Sequence, residues 1–311
     1  MKFIACADLH FTNKCPKNRK DSEYFKTQIG KFQEILEYTL NETDSNILVV
    51  AGDFFDHHKT PYKVTREVLE MIQEYDIEIL CIDGQHDLAY HRSGLDNTPL
   101  GILETAGVIK MLSNKYPVKT DAGGDVSFIG AGWNEEPENE ANVLVMHRMI
   151  TETKELFPGQ ETYEYTTAHQ LMHKYKWADC VITGDNHKPH VLKKDGRLHI
   201  NCGSMMRSTK AQVLHEPSMW VIDTNDWSYN KIILCHEPAK KVFDFVRIEN
   251  ESKIEKARAK AEEDIDGFIE TLNMKDSEKP SFEPILKQVI AHANPKKNVK
   301  TIINSTMERI K

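Results

Sequence analysis

No apolar run in this 311-residue chain approaches the roughly 18 residues that a membrane-spanning helix needs, so a membrane-integral protein is not expected. Paired-cysteine spacings are missing too. The six cysteines stand apart with no Cys-x-x-Cys. That argues against a zinc knuckle or a disulfide frame and reads as buried free thiols in a reducing compartment. Glycine (15) and proline (12) are too sparse for a collagen-like or low-complexity chain. The opening residues, MKFIACADLH, place only five apolar residues before Asp8, too few for the core of a signal peptide. The expected setting is cytoplasmic.

Present instead is the composition of a globular protein, 40% hydrophobic and 28% charged. The length suits one α/β domain of about 200–250 residues plus an appendage. The net charge of −8 disfavours coating of nucleic acid by bulk charge. It is uneven: residues 241–311 hold 14 basic against 13 acidic side chains, so residues 1–240 carry about −9. The last 26 residues hold six basic side chains and one acid, Glu308.

Short β-branched runs recur at 3–7, 47–52, 77–82, 126–132, 142–147, 180–184, 198–203, 219–223 and 231–235. Each is bounded by Gly, Asp or Asn, as strands buried on both faces are. Apolar steps of three and four over 22–41 and 64–75 predict helices between the early strands, hence an α/β fold. The later strands look antiparallel or mixed. Beyond about residue 245, amphipathic helices are expected over 253–272, 282–293 and 297–310, with a polar linker at 274–281. The domain reading is 1–240 plus a helical segment, 241–311.

The strand ends carry the chemistry. Five of these runs, in chain order, close on Asp8 and His10, on Gly52-Asp53 with Asp56, on Gly84-Gln85-His86-Asp87, on His147, and on Gly184-Asp185 with His187. Ligands bind at that edge of an open α/β sheet. The D-x-H spacing points both side chains to one side, so one ion can take both. Any one of these groups alone is an ordinary turn or a core histidine; their ordered conjunction is the signal. Carboxylate, imidazole and amide without thiolate suit Mn²⁺, Fe²⁺ or Mg²⁺, and two ions about 3.5–4 Å apart would share one carboxylate.

This series resembles that of the calcineurin-like metallophosphoesterases: DxH, GDxxD, GNH(D/E), a lone His, then GHxH, matched over roughly residues 1–240. Within them it is most similar to the SbcD-type nuclease subunits of double-strand-break repair, viral members included. Thr60-Pro61, Lys188-Pro189 and Asn201-Cys202-Gly203-Ser204 with Arg207, read as a phosphate-side segment, carry the narrower likeness. The resemblance implies a four-layer sandwich of mixed sheets flanked by helices, with a small helical C-terminal extension. It implies two divalent ions, Mn²⁺ ahead of Mg²⁺ or Fe²⁺, the first on Asp8, His10, Asp53 and His187. The second would share Asp53 and take Gln85, His147 and Asp185. His86 would act at the scissile phosphate with Asp87 orienting its ring. Two positions depart from the pattern: Gln85 replaces Asn, and Asp185 replaces the first His of GHxH. An alternative register would use His187 and His190. His57 and His58 follow Asp56 and either assist or are plain loop residues.

A basic rim of Lys14, Arg19, Lys20, Lys59, Arg92, Arg148 and Arg207, with His58, suits an extended polyanion. The expected activity is a DNA exo- or endonuclease in double-strand-break processing, recombination or replication. The resemblance implies an SbcC-type coiled-coil ATPase partner on the C-terminal helices, leaves room for a homodimer, and puts a virus-encoded member in the host cytoplasm. The alternatives are a small-substrate phosphodiesterase or phosphatase, and a degenerate phosphoesterase scaffold.

Overall fold

Alternate residues of the apolar runs face opposite ways, and in this chain both ways lead into a core. In β1 (Lys2–Cys6), Phe3 and Ala5 join one buried cluster while Ile4 and Cys6 join another. In β2 (Ile47–Ala51), Ile47, Val49 and Ala51 face the first cluster, and Leu48 and Val50 the second. This period-two sorting is why the strands read as continuous apolar runs. The computed structural model describes residues 1–91, 94–120, 125–153, 165–257 and 260.

In chain order the elements after β1 are α1 (Tyr24–Glu42), β2, α2 (Tyr62–Gln73), β3 (Glu78–Ile82), α3 (Pro99–Thr105), β4 (Lys110–Met111), β5 (Val118–Lys119) and β6 (Ser127–Ala131). There follow β7 (Val143–His147), β8 (Ile150–Thr151), β9 (Thr166–Thr167), α4 (Ala168–Lys174), β10 (Cys180–Gly184), β11 (His190–Lys194) and β12 (Arg197–Asn201). Last come β13 (Ser218–Asp223), β14 (Ser228–Ile233) and α5 (Ala239–Val242). Two six-stranded sheets result, ordered β14-β13-β1-β2-β3-β4 and β11-β12-β10-β7-β6-β5, with β8 and β9 as a separate pair. Strands β1 to β4 run parallel, as do β6, β7, β10 and β12; the outer strands β13, β14, β11 and β5 are antiparallel.

One apolar cluster lies between the sheets, where Phe3 of β1 meets Phe128 of β6 edge to face at 5.4 Å. A second lies between the first sheet and α1, α2 and α3, and a third between the second sheet and α4. The fold is therefore a mixed α/β sandwich of four layers, helix–sheet–sheet–helix. The strands bearing the chemical motifs are not five in succession on one sheet. Three belong to the first sheet (β1, β2, β3) and two to the second (β7, β10).

Strand β11 is absent from the sequence expectation because its edge position leaves it polar, HVLKK. The signal lay in the next two residues. Asp195 and Gly196 both have positive φ (53° and 76°), the two-residue turn that joins β11 to β12. Four cysteines (6, 81, 180, 202) are buried as expected, but Cys15 and Cys235 are exposed. Cys235 lies past the end of β14, which closes at Ile233.

The chain divides into two units, Met1–Phe243 and Asp244–Lys311. In the second, residues 245–257 are helical. The rest of the helix expected over 253–272, apart from residue 260, and those over 282–293 and 297–310 lie outside the described residues. No described helix is long and apolar enough to cross a membrane.

Phe128 is fully buried between the sheets. Phe128→Ala should cost about 3–5 kcal/mol, read from the urea-unfolding midpoint at constant slope. A loss below about 1 kcal/mol would contradict the packing described.

Candidate metal centre

Just past the ends of their strands, Asp8, His10, Asp53 and Asp185 all take positive φ (53°, 48°, 49° and 80°). Short polar side chains tolerate this left-handed backbone best, although each such residue stores about 1 kcal/mol or more. The turn stops each strand and lays the loops side by side. Asp8 N donates to Gly52 O (3.1 Å), and His10 N to Asp53 O (3.0 Å). Asp185 N donates to the Asp8 carboxylate (3.1 Å), and His86 N to Asp53 Oδ1 (2.9 Å). Loops from both sheets thus converge on two buried carboxylates.

Two glycines are required by close approach. A Cβ on Gly52, whose φ is +84°, would enter the ring of His147, and one on Gly84 would meet Asp53 Oδ1. The His147 ring is aimed by its Nδ1, which donates to Ala51 O (2.7 Å). That fixes the ring's orientation and turns Nε2 toward Asp53 Oδ2 at 3.3 Å. Around the other oxygens, His10 Nε2 lies 3.6 Å from Asp53 Oδ2, and His187 Nε2 lies 3.7 Å from Asp8 Oδ1. The Nε2 atoms of His10 and His187 face each other at 3.2 Å. His86 Nε2 is 3.9 Å from Asp53 Oδ2.

Among the described residues three groups of convergent donors emerge: Asp8, His10 and His187; Asp8, Asp53 and His147; and His10, Asp53 and His86. Asp8 and Asp53 are fully buried, and among the described residues their ion pairs are all to imidazoles. Burial pushes Asp8 up to about 6, against the pull of His187 and His147. Burial works the same way on Asp53, but His147, His10 and His86 outweigh it and hold that carboxyl below the usual range. Burial lowers His10 to about 3. His147 is driven the other way, up to about 10, because Asp53, Asp8 and Asp185 together outweigh its burial. The cluster favours added positive charge, and among the described residues imidazoles are the groups placed to supply it. Asp53 Oδ2 and His147 Nε2 are buried with no hydrogen-bond partner, and both are donor atoms of the kind divalent ions take. These residues fit a metal centre.

The remaining expected ligands lie beside these groups. Gln85 Nε2 donates to Asp185 Oδ1 at 2.8 Å, so the two departures from the motif pattern pair with each other. His190 belongs elsewhere: its ring lies 5.4 Å from that of His199, and His187, not His190, meets His10.

Asp87 does not orient His86. It is fully buried, and its carboxylate accepts from the backbone N–H groups of Phe54 (3.1 Å), Phe55 (2.8 Å) and Gly84 (3.0 Å). Burial and the neighbouring Asp53 push it up to about 7 against those three donors. It is a clasp between the loops after β2 and β3. The ring of His86 is aimed instead by Asp56, whose carbonyl accepts from Nδ1 at 2.8 Å. A main-chain partner leaves no residue-type signal, although Asp56 itself was visible as the second acid of GDxxD.

The basic rim also thins. Arg19 is buried, clamps Asp21 through two nitrogens (2.8 and 2.6 Å) and donates to Arg207 O (2.8 Å). Arg207 is buried, donates to Glu237 O and lies over Phe243. Arg148 is tied to Glu136 (2.8 Å) and Glu135 O (3.1 Å). All three cations are thus engaged by acids or carbonyls of the chain itself rather than standing free at the rim. Lys14, Lys20 and Lys59 are exposed, His58 is partly exposed, and Arg92 lies outside the described residues. The segment Asn201–Ser204 faces inward as well. Asn201 Nδ2 donates to Asn186 O (2.6 Å) and Lys188 O (3.0 Å), bracing the loop that carries His187.

The family model for calcineurin-like phosphoesterases matches residues 1–189. The chain belongs to the calcineurin-like phosphoesterase family. Among curated proteins it is similar to a Methanopyrus kandleri protein named DNA double-strand break repair protein Mre11, 23% identical over 180 residues. That match spans 49% of this chain and 39% of the relative's length. Among solved structures it is similar to an archaeal phosphodiesterase (16% identity, 75% of this chain and 100% of that one, TM-score 0.41). A Thermus thermophilus protein also matches (8% identity, 75% and 98%, TM-score 0.48). Calcineurin-like phosphoesterases are phosphoester hydrolases with a binuclear divalent metal centre, and the convergent acids and imidazoles are the candidate ligands for it here.

Asp87→Ala would strand three buried N–H groups. The expected loss is about 2–4 kcal/mol in the urea-unfolding midpoint. An unchanged midpoint would contradict the clasp.

Proposed function

We propose that this calcineurin-like phosphoesterase is a two-metal phosphodiesterase that cleaves DNA in double-strand-break processing, recombination or replication. The observation that carries the chemistry is the cluster of Asp8, His10, Asp53, His147 and His187 around donor atoms left without hydrogen-bond partners. The likeness to the Methanopyrus kandleri repair protein supports DNA as substrate. Exposed Lys14, Lys20 and Lys59, on the loops that lead from the cluster, are suited to phosphates on either side of the cleaved one.

Asp8, His10, Asp53 and His187 would hold one ion, and Asp53 with His147, Gln85 and Asp185 the other. The ions, when bound, supply Lewis-acid charge to the phosphoryl oxygens and activate the attacking water. Mn²⁺ is the preferred ion, since no thiolate is present and oxygen donors are plentiful. His86, half exposed at the mouth of the cluster with Nδ1 held by Asp56 O, presents Nε2 to the leaving oxygen and donates or withdraws its proton. A cytoplasmic setting suits six unpaired cysteines. The basic, apolar-striped residues beyond 280 are the proposed dock for an SbcC-type coiled-coil ATPase.

The test is cleavage of labelled single- and double-stranded DNA by the full chain in Mn²⁺, with and without chelator. Cleavage abolished by chelator is expected. Hydrolysis of bis-p-nitrophenyl phosphate without any DNA cleavage would overturn the DNA reading in favour of a small-substrate phosphodiesterase. His86→Ala should lower turnover by roughly 10²–10⁴ with bound metal unchanged. Loss of metal in that variant, seen by elemental analysis, would make His86 a ligand.

A further inference from the structure

The loop that leaves the metal cluster after Asp56 builds an aromatic surface that the hydrolytic centre does not use. His57 and His58 stack on each other, ring centroids 4.2 Å apart and 26° between planes. The ring of Tyr90 lies 5.5 Å from that of His58, and the ammonium of Lys59 is 5.8 Å from the Tyr90 centroid. The surface is preorganised. His57 Nδ1 accepts from Lys59 N (2.9 Å), and His57 O accepts from both Thr60 N (2.9 Å) and Thr60 Oγ1 (2.8 Å).

Tyr90 is 73% exposed and holds a left-handed backbone (φ 57°, ψ 31°). A bulky side chain is strained there, and burial does not repay it. The patch is continuous with the cluster. Asp56, next to His57, accepts from His86 Nδ1 (2.8 Å) and lies 3.6 Å from His10 Nδ1, while Tyr90 follows His86 by four residues.

We propose that His57, His58 and Tyr90 form a stacking ledge for an unpaired nucleobase next to the cleaved phosphate, with Lys59 on the adjoining phosphate. This rests on the nucleic-acid reading above. Rings beside an exposed ammonium are the surface that single-stranded nucleic acid takes: every base has a face to stack, and every linkage has a charge to meet. A duplex end would have to fray to reach it, so the ledge favours single strands, overhangs and frayed ends over intact duplex. The stacking is indifferent to sequence.

The test uses the full chain and fluorescently labelled decathymidylate, with binding read by anisotropy in EDTA so that nothing is cleaved. Tyr90→Ala should weaken binding by about 5- to 100-fold, and Tyr90→Phe, which keeps the ring, should restore it. Decathymidylates carrying one abasic position should bind the wild type less tightly at a single register, and Tyr90→Ala should no longer distinguish that register. Binding of unmodified and abasic strands unaffected by Tyr90→Ala would overturn the ledge. Mn²⁺-dependent cleavage, measured separately, keeps the two readings apart. Cleavage with no dependence of binding on Tyr90 leaves the nuclease reading standing without the ledge. Ring-dependent binding without cleavage leaves the ledge standing without the nuclease reading. Neither binding nor cleavage would remove both.

Discussion

Two carboxylates, Asp8 and Asp53, are buried completely, among the described residues with only imidazoles to balance them, and the architecture around the site answers to that constraint. A buried carboxylate is costly without a counter-charge and hydrogen bonds. Each receives one backbone N–H, from Asp185 and His86 respectively. The remaining demand falls above all on His147, which Asp53, Asp8 and Asp185 drive up to about 10 against its burial. Divalent ions satisfy the same demand better, since one ion can meet several of these donors at once. The left-handed turns at the strand ends, the absence of a Cβ at Gly52 and Gly84 and the Asp87 clasp keep the carboxylates where that exchange can happen.

The two-sheet layout explains why the site needs most of the first unit. β1, β2 and β3 lead into Asp8, His10, Asp53 and His86, and β7 and β10 bring His147 and His187, so two of the three donor groups draw on both sheets. The two sheets are packed against each other through an apolar layer that includes Phe3 against Phe128. Solvent reaches the cluster from the side of His86 and His187, which are the more exposed of its imidazoles. Substrate must enter there, and the His57–His58–Tyr90 surface adjoins that mouth through Asp56.

The central strands and the order of the chemical motifs were legible because burial on both faces writes unbroken apolar runs, and their ends write acids and histidines. The polar edge strand β11 was not, although its Asp195-Gly196 turn was there to be read. Nor was the division of the five motif strands between two sheets, since order along the chain carries no statement of sheet membership. Side-chain roles failed where charge was taken for availability. Arg19, Arg148 and Arg207 are basic and near the motif loops, but each is already spoken for by an acid or a carbonyl. Asp87 differs as well: the family resemblance implied a partner for His86, whereas its carboxylate turns inward to three backbone donors.

In the proposed centre the buried acids and imidazoles hold two divalent ions, with Asp53 shared between them. The direct measurement is Mn²⁺ bound per chain, by elemental analysis after equilibrium dialysis, for the wild type and for Asp53→Asn, with circular dichroism to show that both are folded. Two ions per wild-type chain, with both weakened in the variant, is the result expected. A folded Asp53→Asn chain that still takes two ions with undiminished affinity would contradict it.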